Sequence, residues 1–200
     1  AVRASENSAG AFVNLLNAEM EGLVRASSFN FGRMLFGDGT GKLATVSAAS
    51  GAALTVDSAR NFAVGMTVDV LTSAGAAVEG GTGLRVTAVD PDAKTVTLSA
   101  DISAKLSFAD SATYTLSVQG SYGLELTGLG AIFGDSETLY GLTRSENKWL
   151  EPYKKAVDGA ISETAIQTAI DRLEERAGSR VNFIVCSWGV KRALQNYFSQ

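Results

Sequence analysis

Histidine is absent from the 200 residues, and cysteine occurs once, at Cys186. These two shortages exclude Ser-His-Asp and Cys-His nucleophilic catalysis, histidine-bearing zinc sites and any intramolecular disulfide. A basic excess is missing as well: 17 Lys and Arg stand against 21 Asp and Glu, for a net charge of −4. No basic face is forced by that balance, which disfavours a nucleic-acid coat or a binder of anionic membranes. No apolar run approaches the roughly 18 residues needed to cross a bilayer. Prolines are few, only Pro91 and Pro152, against 21 glycines. What the chain does have is 46% hydrophobic residues with 19% charged ones. That is enough to bury a real core, in one ordinary domain or two small ones.

Three zones of different pattern follow one another. From about Ala9 to Phe36, the apolar residues Phe12, Leu15, Leu16, Met20, Leu23 and Val24 recur at helical spacing, with Asn14, Asn17, Glu21, Arg25 and Ser28 between them. The spacing predicts one long amphipathic helix that Gly32 weakens without ending. Leu16, Met20 and Leu23 are expected to face the body of the fold. The helix stops at Gly37–Gly41 (GDGTG), where glycines and an aspartate favour a tight turn.

From about Val46 to Val118 the period changes to two, and threonine and valine dominate. In MTVDVL, Met66, Val68 and Val70 alternate with Thr67, Asp69 and Leu71. LRVTAVDPDAKTVTLS reads as a hairpin turning at Asp90-Pro91-Asp92, while LTV at Leu54–Val56 and YTLSV at Tyr114–Val118 supply further strands. The expected core is Met66, Val68, Val70, Val86, Val96 and Leu98. Short strands at this spacing predict a small antiparallel barrel or sandwich, near the lower size limit for independent folding.

After Gln119 a glycine-rich but aromatic-containing stretch reads as a packed loop rather than a flexible linker. Ser162 is placed to cap a helix striped by Ile166, Ala169, Ile170 and Leu173, and Gly178 to close it. Val181–Ser187 (VNFIVCS) reads as a short buried strand, and Ser187 caps a last helix whose apolar face is Val190, Leu194, Tyr197 and Phe198. Both ends read as cut, since the chain opens without methionine and finishes within an amphipathic run. The simplest organisation is an α+β body over residues 1–45 and 121–200 with a β module, 46–120, inserted after its first helix.

Candidate chemistry is thin. Phe36–Leu43 invites comparison with a phosphate-binding loop, but Phe36 and Leu43 stand where that motif requires glycine and Ser or Thr. Asp90/Asp92 and Asp135/Glu137 lack the spaced oxygen run of a calcium loop and read as turn caps. Nothing selects one carboxylate pair for glycoside chemistry. Cys186 sits in an apolar run that burial would make inert. Trp149, Tyr153, Trp188 and Tyr197 fit core packing better than a sugar platform. Lys154/Lys155 and Lys191/Arg192 are two pairs, not a stripe, and read as solvated helix ends or subunit contacts. The expectation is no catalytic, cofactor-binding or metal site and no enzyme.

Three stretches, in order, resemble the tailed-phage major capsid protein family, whose head fold is shared with encapsulin shells. AGAFVNLLNAEMEGLVRASSFNFGRMLFGDGTGKLATV is similar to the spine helix of the family's peripheral domain and its glycine-rich turn. GLELTGLGAIFGDSETLYGLTRSENKWLEPY is similar to the segment leading to the axial domain, most specifically at Tyr140-Gly141, Arg144–Asn147 and Trp149. ISETAIQTAIDRLEERAGSRVNFIVCSWGVKRALQNYF is similar to the axial helix–strand–helix.

The resemblance implies a capsid-type α+β fold: 1–45 as spine helix and turn, 121–200 as loop and axial part, and 46–120 as an inserted barrel or sandwich. Family members are longer, with an N-terminal arm and later strands, which implies that this chain is a fragment. The implied function is a structural subunit of an icosahedral head, located in the virion and made in the bacterial cytoplasm. Implied partners are copies of itself in pentamers and hexamers and scaffolding or decoration proteins. Packaged DNA is touched only non-specifically, and there is no membrane partner. Some family members carry a Lys–Asn crosslink between subunits, which no local motif places here. Two other readings compete: a β-rich adhesin or carbohydrate-binding module built on 46–120, and an encapsulin-like compartment shell.

Overall fold

The computed structural model describes residues 9–109, 113–178 and 180–199. It divides into two compact units, the first ending at Ser136 and the second starting at Glu137.

Among the described residues, the first element of the first unit is helix α1, Ala9–Phe36. Gly32 lies inside it without interrupting it, as the sequence pattern predicts. Termination follows from Asp38, whose Oδ1 accepts from the Thr40 amide at 2.9 Å and the Thr40 hydroxyl at 2.5 Å. Gly39 and Gly41 then take left-handed φ of 88° and 76°, which residues with a Cβ rarely adopt. Burial is the largest single influence on the Asp38 carboxyl and pushes its pKa up. The Thr40 hydroxyl, the Thr40 and Asp38 amides and the Lys42 charge together outweigh it, so the value is lowered. The folded turn therefore favours the carboxylate. Its contribution is complete above the ordinary aspartate value of 3.8 and is lost as pH falls through the lower folded value. In Asp38→Asn the acid-dependent loosening of this turn should disappear, read from the Thr40 amide shift in an acid titration. A titration identical to that of the parent chain would show that Asp38 does not hold the turn.

Six strands follow: β1 Lys42–Ser50, β2 Ala53–Val56, β3 Thr67–Thr72, β4 Leu84–Asp90, β5 Thr95–Leu98 and β6 Tyr114–Val118. They close as β1-β2-β5-β4-β3-β6, antiparallel throughout, with β6 returning onto β1. Closure removes every open edge and leaves one interior to fill. Val46, Leu54, Val68, Val70, Val86, Val96 and Leu116 are fully buried there, and Ala59, Phe62, Ile102 and Leu106 from the connecting segments join them. Five of the six expected core residues are buried, and Met66 packs against them half-buried. The β4–β5 hairpin turns where expected, with Asp90 Oδ1 accepting from the amides of Asp92 and Ala93 at 3.0 and 2.9 Å.

Two features depart from the sequence pattern. Strand β1 starts at Lys42, directly after the glycine turn and before the change of period becomes visible. Strand β3 does not keep one wet face, because Asp69 and Leu71 are buried along with Val68 and Val70. The chain from Ala76 to Gly81 lies alongside β3: Val70 donates to Gly81 O at 2.7 Å, Val78 donates to Val70 O at 3.0 Å, and Leu71 bridges Ala77. The buried Asp69 carboxylate is satisfied by two amides, Gly83 on Oδ1 and Gly120 on Oδ2, each at 2.8 Å. It thereby ties together two loops whose glycines both have positive φ.

Helix α2, Leu129–Ile132, ends the first unit. The second unit holds a small hairpin, β7 Thr138–Leu139 with β8 Leu142–Thr143, and helices α3 Glu163–Ala177 and α4 Trp188–Phe198. The caps are where the sequence places them. Ser162 accepts from the Ala165 amide at 3.3 Å, Gly178 is left-handed at φ 64°, and Ser187 accepts from the Val190 amide at 3.4 Å. The expected strand at Val181–Ser187 does not form. Among the described residues β7 and β8 pair only with each other and are two residues long each, too short a ladder to hold a strand the length of Val181–Ser187 along its edge.

Candidate functional site

Helix α1 has 28 residues, about 42 Å at 1.5 Å per residue. Among the described residues, packing holds only its C-terminal third. The expectation that Leu16, Met20 and Leu23 face the body of the fold is overturned: they are 49%, 56% and 64% exposed. Phe12, Val13 and Val24 are likewise more than half exposed. The physical reason is reach. The clefts that the helix shares with the barrel begin at Arg25 and Ala26, where they meet Ala63–Thr67 and Val118, and continue to Phe36. Val13, Leu16, Met20 and Leu23 follow a 3-4-3 spacing, which is the seam of a helix that packs on another helix. The described residues leave this stripe uncovered.

The held end is a clamp. Arg33 in α1 donates from Nη1 to Glu125 Oε2 at 2.7 Å and from Nη2 to Oε1 at 2.5 Å, with side chains only 7% and 6% exposed. Ser121 Oγ adds a third bond to Glu125 Oε1 at 2.9 Å. Backbone packing supports this bidentate pair. A Cβ on Gly128 would collide with Met34 O and lie 2.5 Å from Leu35 O, and one on Gly130 would lie 2.8 Å from the Gly37 carbonyl carbon. Gly130 N donates to Gly37 O at 3.0 Å. The segment from Ser121 to Ile132 thus strap-fastens the last turn of α1, beside an open cleft of about 680 Å³ lined by Phe29, Arg33, Phe36, Lys42, Arg60 and Glu125.

No sequence reading singled out Arg33 or Glu125. The pair is 92 residues apart, and no local pattern links them. One signal was available: Glu125 is the only charged residue between Asp110 and Asp135.

In the second unit, the string Tyr140–Trp149 builds a self-contained knot. Tyr140 and Gly141 turn the hairpin with φ of 52° and 77°, the conformation of a two-residue hairpin loop. Arg144 is buried; its amide donates to Glu137 O at 2.9 Å and its Nη1 to Leu150 O at 3.4 Å. Asn147 donates to Thr143 O from both its amide and its Nδ2, each at 3.0 Å. These residues organise backbone rather than a pocket.

No family model matches this chain. Neither a curated protein nor a solved structure is similar to it either.

Several residues weighed from sequence lie elsewhere than expected. Trp149 and Trp188 are each 75% exposed and Tyr197 is exposed, while Tyr153 is half-buried, so they do not form a core. Cys186 is exposed, not buried in a strand, as are Phe183, Ile184 and Val185 around it. The cause is that the run pairs with no strand, so among the described residues no sheet neighbour covers it. Asp38 and Asp90 serve the Gly37–Gly41 turn and the β4–β5 turn. Among the described residues, no group of three acidic or cysteine side chains converges as metal ligands, and no helix is long and apolar enough to cross a membrane.

Proposed function

We propose that this chain is a structural subunit of the tailed-phage major capsid type, with a spine helix, an axial helical part and a barrel inserted between them. Its work is to assemble with copies of itself into an icosahedral shell around DNA, without catalysis and without a cofactor. The observation that carries this reading is the division of apolar surface. The barrel buries its own core completely, whereas α1 leaves Phe12, Leu16, Met20 and Leu23 half or more exposed. A chain that completes one core and leaves another surface open is suited to burying it against neighbours. The order of the three capsid-like stretches supports the same reading, as does the placement of the barrel between the first two.

Electron microscopy of the full-length gene product expressed alone is the direct test. Heads, tubes or sheets are expected; discrete monomers that bind glycans through the barrel would overturn the proposal. The double variant Leu16→Asp, Leu23→Asp should abolish assembled particles while leaving the barrel's unfolding midpoint unchanged. Assembly at the parent level would mean that the exposed stripe takes no part.

A further inference from the structure

The two helices of the second unit carry opposite charge and matching apolar faces. Helix α3 has Glu163, Asp171, Glu174 and Glu175 against Arg172 and Arg176, a net −2. Helix α4 has Lys191 and Arg192 with no acidic residue, a net +2. Each is capped and amphipathic, and neither contains a buried residue. They are not packed along each other. Leu173, Trp188, Tyr197 and Phe198 are exposed, while Ile166, Ile170, Val190 and Leu194 are half-covered. Within α3, Gln167 holds Asp171 at 2.7 Å and Arg172 holds Glu175 at 2.9 Å. Glu163 and Glu174 then border the Ile166–Ile170–Leu173 stripe. In α4, Lys191 borders Val190 and Leu194 and lies over the Trp188 ring, 5.2 Å from its centroid.

We infer that α3 of one copy docks on α4 of a second copy, its acidic border against the Lys191/Arg192 border. This deepens the shell-subunit reading and rests on it. The contact joins two different faces, so each copy offers one of each and repetition of the step generates a ring or a filament rather than a closed pair. Helix α4 has 11 residues, about 17 Å. One such contact is small beside the roughly 800 Å² per partner of a stable complex. It is therefore weak singly and persists where several close on one another. Charge complementarity sets which face meets which, and juxtaposed like charges oppose the wrong pairing.

The test uses two charge-reversed forms of the whole chain: K191E with R192E, and E163K with E174K. All four positions are exposed, and circular dichroism verifies that helix content is kept. By sedimentation velocity, the parent chain should self-associate more strongly at low salt. Each reversed form alone should associate about tenfold or more weakly, because both of its helices then carry one sign. An equimolar mixture of the two should associate again, since opposite faces meet between unlike chains. A mixture as monomeric as its components overturns the inference and places any pairing within one chain. Reversed forms that associate like the parent, or a parent monomeric at its highest soluble concentration, overturn it as well. Particles seen by microscopy with either reversed form would remove this contact while leaving the shell reading intact.

Discussion

Leu116→Ala should destabilise the barrel by about 2–5 kcal/mol, the usual range for truncating a fully buried leucine. Leu116 has no exposed surface and sits in β6, paired across to Ala44 of β1 and Val70 of β3. It fills the seam where the barrel closes. A small domain holds only a few kcal/mol in reserve, so this single change should bring the barrel close to unfolding at room temperature. Urea titration followed by far-ultraviolet circular dichroism measures the loss. Leu23→Ala on the exposed part of α1 is the control and should cost a few tenths of a kcal/mol in the unassembled chain. Similar losses at both positions would place the stabilising core outside the barrel.

The second large effect belongs to the clamp. Removing either side of Arg33–Glu125 leaves the other charge buried without its partner, and such losses run to about 3–5 kcal/mol. Arg33→Ala and Glu125→Ala should each release the strap Ser121–Ile132 from the end of α1, visible as lost hydrogen-exchange protection at Gly130. The double replacement Arg33→Met with Glu125→Leu should recover most of the stability, because apolar groups of similar volume carry no desolvation cost. Arg33→Lys should not rescue the strap, since an ammonium group cannot make both bonds to one carboxylate. A double replacement as damaging as the single ones would mean that this carboxylate and guanidinium specify the geometry beyond neutralising each other.

Signals that act over a few residues were legible in the sequence. Ser162, Gly178 and Ser187 mark helix ends through bonds to amides three residues on or through a left-handed φ. Asp90 marks its turn in the same way. Alternation located β3 to β6 and the buried Val68, Val70, Val86, Val96 and Leu98, but not Leu71, Leu84 or Leu116. Contacts set by the closed barrel were not legible. The burial of Asp69 depends on Gly83 and Gly120 arriving from different loops, and the clamp depends on a residue 92 positions away. Amphipathicity also states which side of a helix is apolar without stating who covers it. That is why the stripes of α1, α3 and α4 were visible while their lack of cover was not. The run at Val181–Ser187 failed for a related reason. Strand propensity describes a residue's fit to a pleated surface, and the two-residue strands β7 and β8 of its own unit offer too little of one.

The strand that leads the chain into the barrel lies beside the strand that leads it out: Lys42 is opposite Ser117 and Ala44 opposite Leu116, and just outside them Gly123 N donates to Thr40 O at 2.8 Å. The two crossing points are thus about 5 Å apart, the spacing of neighbouring strands. A domain whose termini meet at that distance can take the place of what lies between them while the chain still enters and leaves at one point. Under the shell-subunit reading proposed above, that doorway is an attachment point: an enzyme, an antigen or a binding loop grafted between Gly41 and Ser121 would be displayed once per copy.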